Sequence, residues 1–211
     1  MPSYNTEKSI TSLLLSYNYL AIDYIRYKQA FTINPSFTFL IKGNHLGQAL
    51  LKYKREEFDR AFSGRKFGSY PSQAEDRDAH YSSVGLGYLY TFSKGDGLFN
   101  ARLEGDVNDT DGINWDYTGV KTSAGLLYPF FNNKFKVNIF SEMHNQNFSK
   151  MHTIYRKKRR DDTYTIQTSL TYSIIKPMDI SIGYTHIKND SNITIYEYKR
   201  NLYTSNLEYR F

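Results

Sequence analysis

The chain has 211 residues, a formal net charge of +6 and no cysteine, and 40% of its residues are apolar. It contains no run of about 18 apolar residues, which excludes a membrane-spanning helix, and it lacks the thiols for a disulfide-based fold. Basic residues are spread over many segments, which argues against a nucleic-acid-binding surface. The aromatic residues are unusual, because 20 Tyr and 14 Phe stand against one Trp. Tyrosine suits positions where the ring lies in lipid and the hydroxyl lies among headgroups.

Ten segments alternate between apolar and polar residues, a period that predicts β-strands with two different faces. In an outer-membrane β-barrel the apolar row faces lipid and the polar row faces the lumen. The ten segments, in chain order, are 12–19, 31–39, 48–54, 83–92, 99–107, 120–128, 135–139, 163–174, 179–185 and 201–211. We therefore predict an all-β, antiparallel, up-and-down transmembrane barrel of about ten strands.

The first four segments carry aliphatic and aromatic outward rows, such as Leu13, Leu15 and Tyr17 in the first. The second segment contains Pro35, which has no N–H to donate to a neighbouring strand. We expect a bulge or a break in the sheet at that residue.

The fifth to seventh segments bring charges to the inward row, while the outward rows of all ten segments contain no Lys, Arg, Asp or Glu. A charge facing lipid at mid-membrane costs roughly 2–4 kcal/mol, so this exclusion is expected of a barrel. The predicted lumen-lining residues are Arg102, Glu104, Asp106, Lys121, Lys136, Asp179, Glu208 and Arg210. Such a mixed row would line a wet interior or one filled by side chains, and ten strands leave a narrow lumen.

The eighth segment, 163–174, has the most regular alternation, and the tenth ends the chain on aromatic residues. Tyr209 and Phe211 resemble the C-terminal assembly signal of bacterial outer-membrane proteins. This resemblance implies recognition by the barrel assembly machinery.

Connections between the segments alternate in length, as expected for short periplasmic turns and longer outer loops. The short turns fall at 42–44, 93–97, 129–134 and 175–177, and the long polar connections at 59–78, 108–116, 146–162 and 188–196. An even strand count then places both termini on the periplasmic side.

Several phrases resemble the C-terminal barrels of tetratricopeptide-repeat outer-membrane proteins, a group that includes surface lipoprotein assembly modifiers and exopolysaccharide exporters. They are Asn-Trp-Asp-Tyr at 114–117, Lys-Arg-Arg-Asp-Asp-Thr-Tyr at 158–164, Asp-Ser-Asn-Ile at 190–193, Tyr-Glu-Tyr-Lys-Arg-Asn at 196–201 and the final Tyr-Arg-Phe. The resemblance implies a membrane-embedded part of an export pathway. The chain differs from these proteins in having neither a helical repeat of about 34 residues nor a signal segment.

Enzymatic activity is an alternative, since some outer-membrane barrels are omptin-like hydrolases with a site at the outer rim. The predicted rim histidines are His144 and His186, and Asp190 or Ser191 lies close in sequence to His186. No nucleophile-elbow or metal-spacing motif accompanies them. We therefore predict no catalytic residue, no metal and no cofactor.

The basic cluster Arg156, Lys157, Lys158, Arg159 and Arg160 is predicted to lie in an outer loop. It is either a solvated loop or a surface that binds the phosphates of lipopolysaccharide. Nucleic acid is the least favoured reading.

Residues 1–8 are predicted as a lead-in, and residues 9–211 as a Gram-negative outer-membrane barrel, either a complete small barrel or the C-terminal part of a larger one. We expect a conduit or an export component, with a structural or adhesive barrel as the alternative. Expected partners are outer-membrane lipid, lipopolysaccharide, the barrel assembly machinery, and a periplasmic repeat domain or other subunits.

Overall fold

The computed structural model describes residues 3–6, 8–22, 25–58, 73–175 and 177–210, and this part of the chain is almost entirely β-strand. The strands are β1 (Ser3–Thr6), β2 (Ser9–Ile22), β3 (Ile25–Lys42), β4 (His45–Phe58), β5 (Ala79–Phe92), β6 (Gly97–Thr110), β7 (Tyr117–Phe130), β8 (Phe135–Met151), β9 (Lys158–Ile175), β10 (Met178–Ser191) and β11 (Tyr198–Tyr209). In these residues no helix is long and apolar enough to cross a membrane.

The eleven strands form one antiparallel sheet in which the spatial order is the chain order. This arrangement confirms the predicted all-β, up-and-down fold. Each of the ten predicted strands is present, and the short strand β1 is added within the predicted lead-in. In the described residues no ladder joins β1 to β11.

The register confirms the predicted alternation, because residues directly opposite in an antiparallel ladder share a face. Leu170 on β9 lies opposite Val137 on β8 and Ile182 on β10. Its neighbour Ser169 lies opposite Asn138 and Gly183 on the other face. The first of these faces is termed the outward face and the second the inner face.

Large apolar side chains of the outward face are exposed rather than packed in a core. Leu86 is 69% exposed and Ile182 is 60% exposed. A water-soluble domain rarely exposes a contiguous apolar surface of this extent, whereas lipid covers the outside of a membrane barrel.

Strands β8 and β9 are longer than predicted at the end that carries the long connections. The expected loop 146–162 is reduced to residues 152–157, because the alternation continues past the apolar band. Outward positions in this outer part are polar or charged, and they include Arg55, Glu57, Asp109, Arg160, Asp162, Lys188, Asp190 and Lys199. Charge is therefore excluded from the outward row only at the height of the lipid.

Pro35 interrupts the ladder between β3 and β4 without shifting it. The paired residues are Ile33 with Tyr53 and then Ser36 with Leu50, so the register is the same on both sides of the gap. The predicted break occurs, and no bulge accompanies it.

The short turn between β3 and β4 has a backbone conformation that favours glycine. Gly43 has a φ of 57°, in the left-handed region that glycine adopts without strain. Nearby, the ring of Phe39 lies over Gly47, in the space that a side chain there would fill.

The predicted turn residue Lys176, the terminal Phe211 and residues 59–72 of the first long connection lie outside the described residues.

Candidate functional site

A belt of charged side chains crosses the inner face from β3 to β8. We call it the charged belt, and its members are Lys28, Lys52, Lys54, Glu56, Tyr81, Glu104, Asp106, Lys121 and His144. Strand alternation aims all of them to one side of the sheet.

At one end of the belt, Glu56 on β4 is bound by two lysines. Lys54 Nζ lies 2.7 Å from Glu56 Oε2, and Lys28 on β3 binds the other carboxylate oxygen. Glu56 is mostly buried. A buried carboxylate is stable only when it is paired, so these lysines hold it in its charged form.

The middle of the belt is built around Tyr81 on β5, whose side chain is almost completely buried. The ammonium groups of Lys52, Lys54 and Lys121 lie 5.5, 5.2 and 4.9 Å from the centre of its ring. Lys121 Nζ also donates to Tyr81 Oη at 2.5 Å, and that hydroxyl donates to Glu104 Oε1 at 3.3 Å. The ring therefore keeps three like charges close together by cation–π attraction and hydrogen bonding.

At the other end of the belt, Asp106 on β6 meets His144 on β8. The Asp106 side chain has no exposed surface, and both of its oxygens lie 3.1 Å from His144 Nε2. Lys121 Nζ lies 3.8 Å from the same carboxylate and 3.6 Å from Glu104.

Gly119 makes the contact between Asp106 and His144 possible. It lies on β7, between the two strands that carry them, directly opposite Asp106. A Cβ at this residue would lie 2.5 Å from Asp106 Oδ1 and 2.6 Å from His144 Nε2. The missing side chain leaves the space in which carboxylate and imidazole meet.

The sheet brings the predicted lumen-lining residues together in two groups. Glu104, Asp106 and Lys121 belong to the charged belt. At the short-turn end, Arg210 binds Asp179 and also Glu208, with 2.9 Å between Arg210 Nε and Glu208 Oε1.

The other two predicted lumen-lining residues, Arg102 and Lys136, have no carboxylate within ion-pair distance among the described residues. The sequence left open whether Lys136 pairs with the acidic residues of β6. Lys136 does not lie within ion-pair distance of Glu104 or Asp106, because it is the second residue of β8, next to the short turn that precedes this strand.

Sequence reasoning did not single out Lys28, Glu56, Tyr81 or Gly119. The first three lie just beyond the predicted segments, since β3, β4 and β5 are longer than the predicted strands. Extending each polar row by two residues at a time would have found them. Gly119 carries no signal in a single sequence, because its role depends on what lies on the adjacent strands.

A second set of contacts ties the outer connections to one another. We call it the outer-loop cluster, consisting of Glu75, Asn114, Trp115, His152, Thr153, Arg159 and Tyr196. Glu75 accepts hydrogen bonds from Asn114 Nδ2 at 2.5 Å and from Trp115 Nε1 at 3.1 Å. Asn114 Nδ2 also donates to Thr153 Oγ1 at 2.9 Å.

Arg159 is the centre of the outer-loop cluster. Its guanidinium carbon lies 3.4 Å from the ring centre of Tyr196, 4.2 Å from that of Phe148 and 5.2 Å from that of Trp115. The two carboxylate oxygens of Asp161, which is also buried, share the single Nε–H of Arg159 at 3.0 and 2.9 Å, and Oδ2 also accepts from Arg159 Nη2. Burial raises the pKa of the Tyr196 phenol, whose oxygen lies 2.7 Å from His152 Nε2.

The prediction that the whole basic cluster lies in a loop was wrong. Only Arg156 and Lys157 lie in the connection, while Lys158, Arg159 and Arg160 are the first residues of β9. The strand alternation therefore separates the cluster, burying Arg159 inside and leaving Lys158 and Arg160 on the outward side.

The histidines considered for catalysis lie on opposite faces of the sheet and have different partners. His186 Nδ1 hydrogen-bonds Asn201 Oδ1 at 2.7 Å, whereas Asp190, a suggested partner for it, is bound by Lys188 at 2.6 Å. His144 is the histidine that contacts a carboxylate in the described part of the chain.

Three aspartates of the outer connections could hold a hard cation. Carboxylate oxygens of Asp76, Asp78 and Asp111 lie within 4.8 Å of one another, and Ca²⁺ prefers oxygen ligands. Burial, together with the charges of Asp76 and Asp111, raises the pKa of Asp78, although a hydrogen bond from the Phe58 amide opposes the shift. Part of this oxygen set is already engaged, since Asp78 Oδ1 accepts from Phe58 N at 2.6 Å and Asp76 Oδ1 accepts from Asp78 N at 3.1 Å.

A solved structure with a similar fold is that of an outer-membrane protein. A loop L8 deletion mutant of OmpT, an outer membrane protein of Vibrio cholerae, superposes with a TM-score of 0.63 and 14% identity, over 98% of this chain and 60% of its own. The open form of the ferric-catecholate import receptor Fiu of E. coli K12 gives a TM-score of 0.36 and 9% identity, over 97% of this chain and 47% of its own. This chain thus spans about three fifths of the Vibrio protein and less than half of the receptor.

The fold, which the chain shares with the Vibrio outer-membrane protein, is that of an outer-membrane β-barrel. No curated protein matches its sequence. Residues 41–210 match the family DUF2860, described as a protein of unknown function. Because that match spans most of the sequence, the chain belongs to the DUF2860 family.

Proposed function

We propose that the chain forms wall strands of an outer-membrane conduit for solutes, with the charged belt facing the solute path. The observation that carries this proposal is the concentration of ionisable groups on the inner face while the outward face at lipid height is apolar. Burying so many charges is costly unless water or ion pairs compensate them. Ion pairs compensate the carboxylates of the charged belt, and a water-filled path along the inner face would hydrate the cations that have no acidic partner.

The balance of unpaired charge favours anionic solutes. In the described part of the inner face, the carboxylates of Glu56, Glu104 and Asp106 all have cationic partners. Among the described residues of the inner face, Lys52, Arg102 and Lys136 have no carboxylate within ion-pair distance, and Glu142 has no cation within that distance. Rings of unpaired cations attract anions into a pore, so the conduit should prefer them.

We also propose that the conduit serves export to the cell surface. This part of the proposal rests on the resemblance to the barrels of tetratricopeptide-repeat exporters. We also propose a lumen wider than the eleven strands alone would enclose, because the chain spans only 60% of the length of the Vibrio protein that shares its fold. Strands beyond the eleven described here would widen the lumen. In this proposal the protein is a conduit and not an enzyme.

A measurement of ion selectivity tests the proposal that the inner face lines a conduit. The protein extracted from outer membranes and reconstituted in planar bilayers should pass chloride in preference to potassium, as measured by the reversal potential in a salt gradient. The double variant K52E/R102E should shift the preference toward potassium, because it removes two unpaired cations and adds two anions on the inner face.

The matched control is K94E/K134E, which makes the same charge change in the short turns, where both residues are exposed. It should leave the reversal potential close to that of the unmodified protein. An equal shift in both variants would mean that the inner face does not line the ion path. Absence of conductance from correctly folded protein would exclude the conduit altogether.

A structural or adhesive barrel is the second candidate, and the outer-loop cluster favours it. Glu75, Asn114 and Thr153 join three connections into one ordered surface. A barrel that acts through this surface would conduct poorly, and replacing Asn114 by Ala would impair attachment of cells without changing ion flow. The conductance measurement therefore separates the two candidates.

A further inference from the structure

A second polar site lies on the outward side of the sheet, where β7, β8 and β9 pass beyond the apolar band. It is a cavity of about 560 Å³ lined by five residues of the outward row, Thr118, Asn147, Ser149, Lys158 and Arg160, together with Phe148, Arg159 and Asn192. The five outward side chains are polar or cationic, whereas the same face of the sheet is apolar at the height of the lipid.

The position of the cavity relative to lipid follows from the register. Arg160 lies opposite Asn147, in the same outward row as Tyr164, Ile166 and Leu170. It is four residues from Tyr164, or roughly 13 Å along the strand. Aromatic residues such as Tyr164 mark the membrane interface of barrels, so the cavity lies at the height of the headgroups.

Two cations of the cavity lack acidic partners. Arg160 Nε donates to Asn147 Oδ1 at 2.9 Å, and in the described residues no carboxylate lies within ion-pair distance of Arg160 or Lys158. Arg159, between them in sequence, points to the inner side, where Asp161 neutralises it. The strand alternation thus directs two positive charges outward, and neither is in an ion pair within the described residues.

Asn192, from the connection after β10, fixes the backbone that carries these cations. Its Oδ1 accepts from Arg160 N at 2.9 Å, and its Nδ2 donates to Lys158 O at 2.8 Å. The two cations are therefore mounted on a rigid strand end, which reduces the entropy lost when they bind a ligand.

We propose that this cavity binds a phosphate monoester on the headgroup of an outer-leaflet glycolipid. A phosphate dianion matches two cations, and its oxygens can accept hydrogen bonds from the guanidinium and from the Thr118 and Ser149 hydroxyls. The location on the lipid side, at headgroup height, selects a lipid over a soluble phosphate. Most of the lining belongs to the outward row, so the proposed phosphate binding does not depend on the conduit.

Binding of lipid A in detergent micelles tests the site, using the diphosphorylated glycolipid and its dephosphorylated form as probes. The Kd of the unmodified protein for the phosphorylated form should be lower than that for the dephosphorylated form by a factor of about ten or more, as expected for two charge-assisted contacts. The variant K158Q/R160Q should lose this difference. Native mass spectrometry of the protein with increasing lipid measures both.

The control variant R156Q/K157Q removes two charges from the same cluster, at exposed residues that do not line the cavity. It should retain the preference for phosphorylated lipid. The single variants K158Q and R160Q should each show a smaller loss, which covers the case of a double variant that fails to fold.

Three outcomes would overturn the proposal. Equal binding of both lipids by the unmodified protein would show that no phosphate is recognised, and an equal loss in the control variant would show general attraction by charge. If inorganic pyrophosphate displaces the lipid at equal concentration, the site serves a soluble phosphate and the lipid source is wrong.

Discussion

Gly119 shows how one residue can determine a contact between two side chains on the strands beside it. Asp106 and His144 are on strands separated by β7, and they reach each other only across the position where Gly119 has no side chain. Asp106 is completely buried, so loss of this partner would leave a carboxylate with fewer hydrogen bonds away from water. A buried polar group without its partner costs about 1–3 kcal/mol.

The substitution Gly119→Ala should therefore lower stability by about 1–3 kcal/mol, because the new methyl group displaces Asp106 or His144. Gly105→Ala is the matched control, since Gly105 lies on the outward row of β6 with no atom within 4 Å of the added Cβ. Urea unfolding from detergent or lipid measures both variants. Similar losses would show that the cost is a general effect of alanine in these strands.

Strands β9 and β10 show how far a strand's orientation follows from alternation alone. Leu170 is surrounded by outward apolar neighbours and Ser169 by inner-face polar ones. Leu170→Arg should reduce stability by roughly 2–4 kcal/mol, the cost of a charge facing lipid near mid-membrane. Ser169→Arg should reduce it far less, because the arginine would face the inner side. Heat-modifiable mobility of membrane-extracted protein reports the folded fraction, and equal tolerance would contradict the assigned faces.

The same strands show what the sequence could and could not predict. A period of two is a local property, so the ten strands and the faces of Leu170 and Ser169 could be predicted from the chain. Strand ends were less predictable, because the strands extend beyond the lipid. There a charged outward residue such as Arg160 lies within a strand and does not indicate its end. The partnerships of the charged belt, such as Tyr81 with Lys121, depend on the register between strands far apart in sequence, and no local pattern encodes that register.

Assembly concerns the whole molecule, and its predicted signal is at the C-terminus. Tyr209 is exposed on the outward row at the end of β11, while Phe211 lies outside the described residues. Deleting Phe211 should slow the appearance of folded protein in the outer membrane of cells that express it with a signal peptide. Glu208→Ala, on the inner row of the same strand, is the control. Pulse-chase labelling measures the rate, and unchanged assembly would contradict the signal.

Because the ladders of the described strands join only neighbours in sequence, the sheet is modular in an evolutionary sense. A duplicated or deleted hairpin would alter two ladders and leave the remaining registers intact. Barrel circumference can therefore change by pairs of strands while a local feature such as the Asp106–Gly119–His144 arrangement is inherited unchanged. Related proteins of different pore size could thus keep the same polar chemistry, with gene duplication setting the diameter.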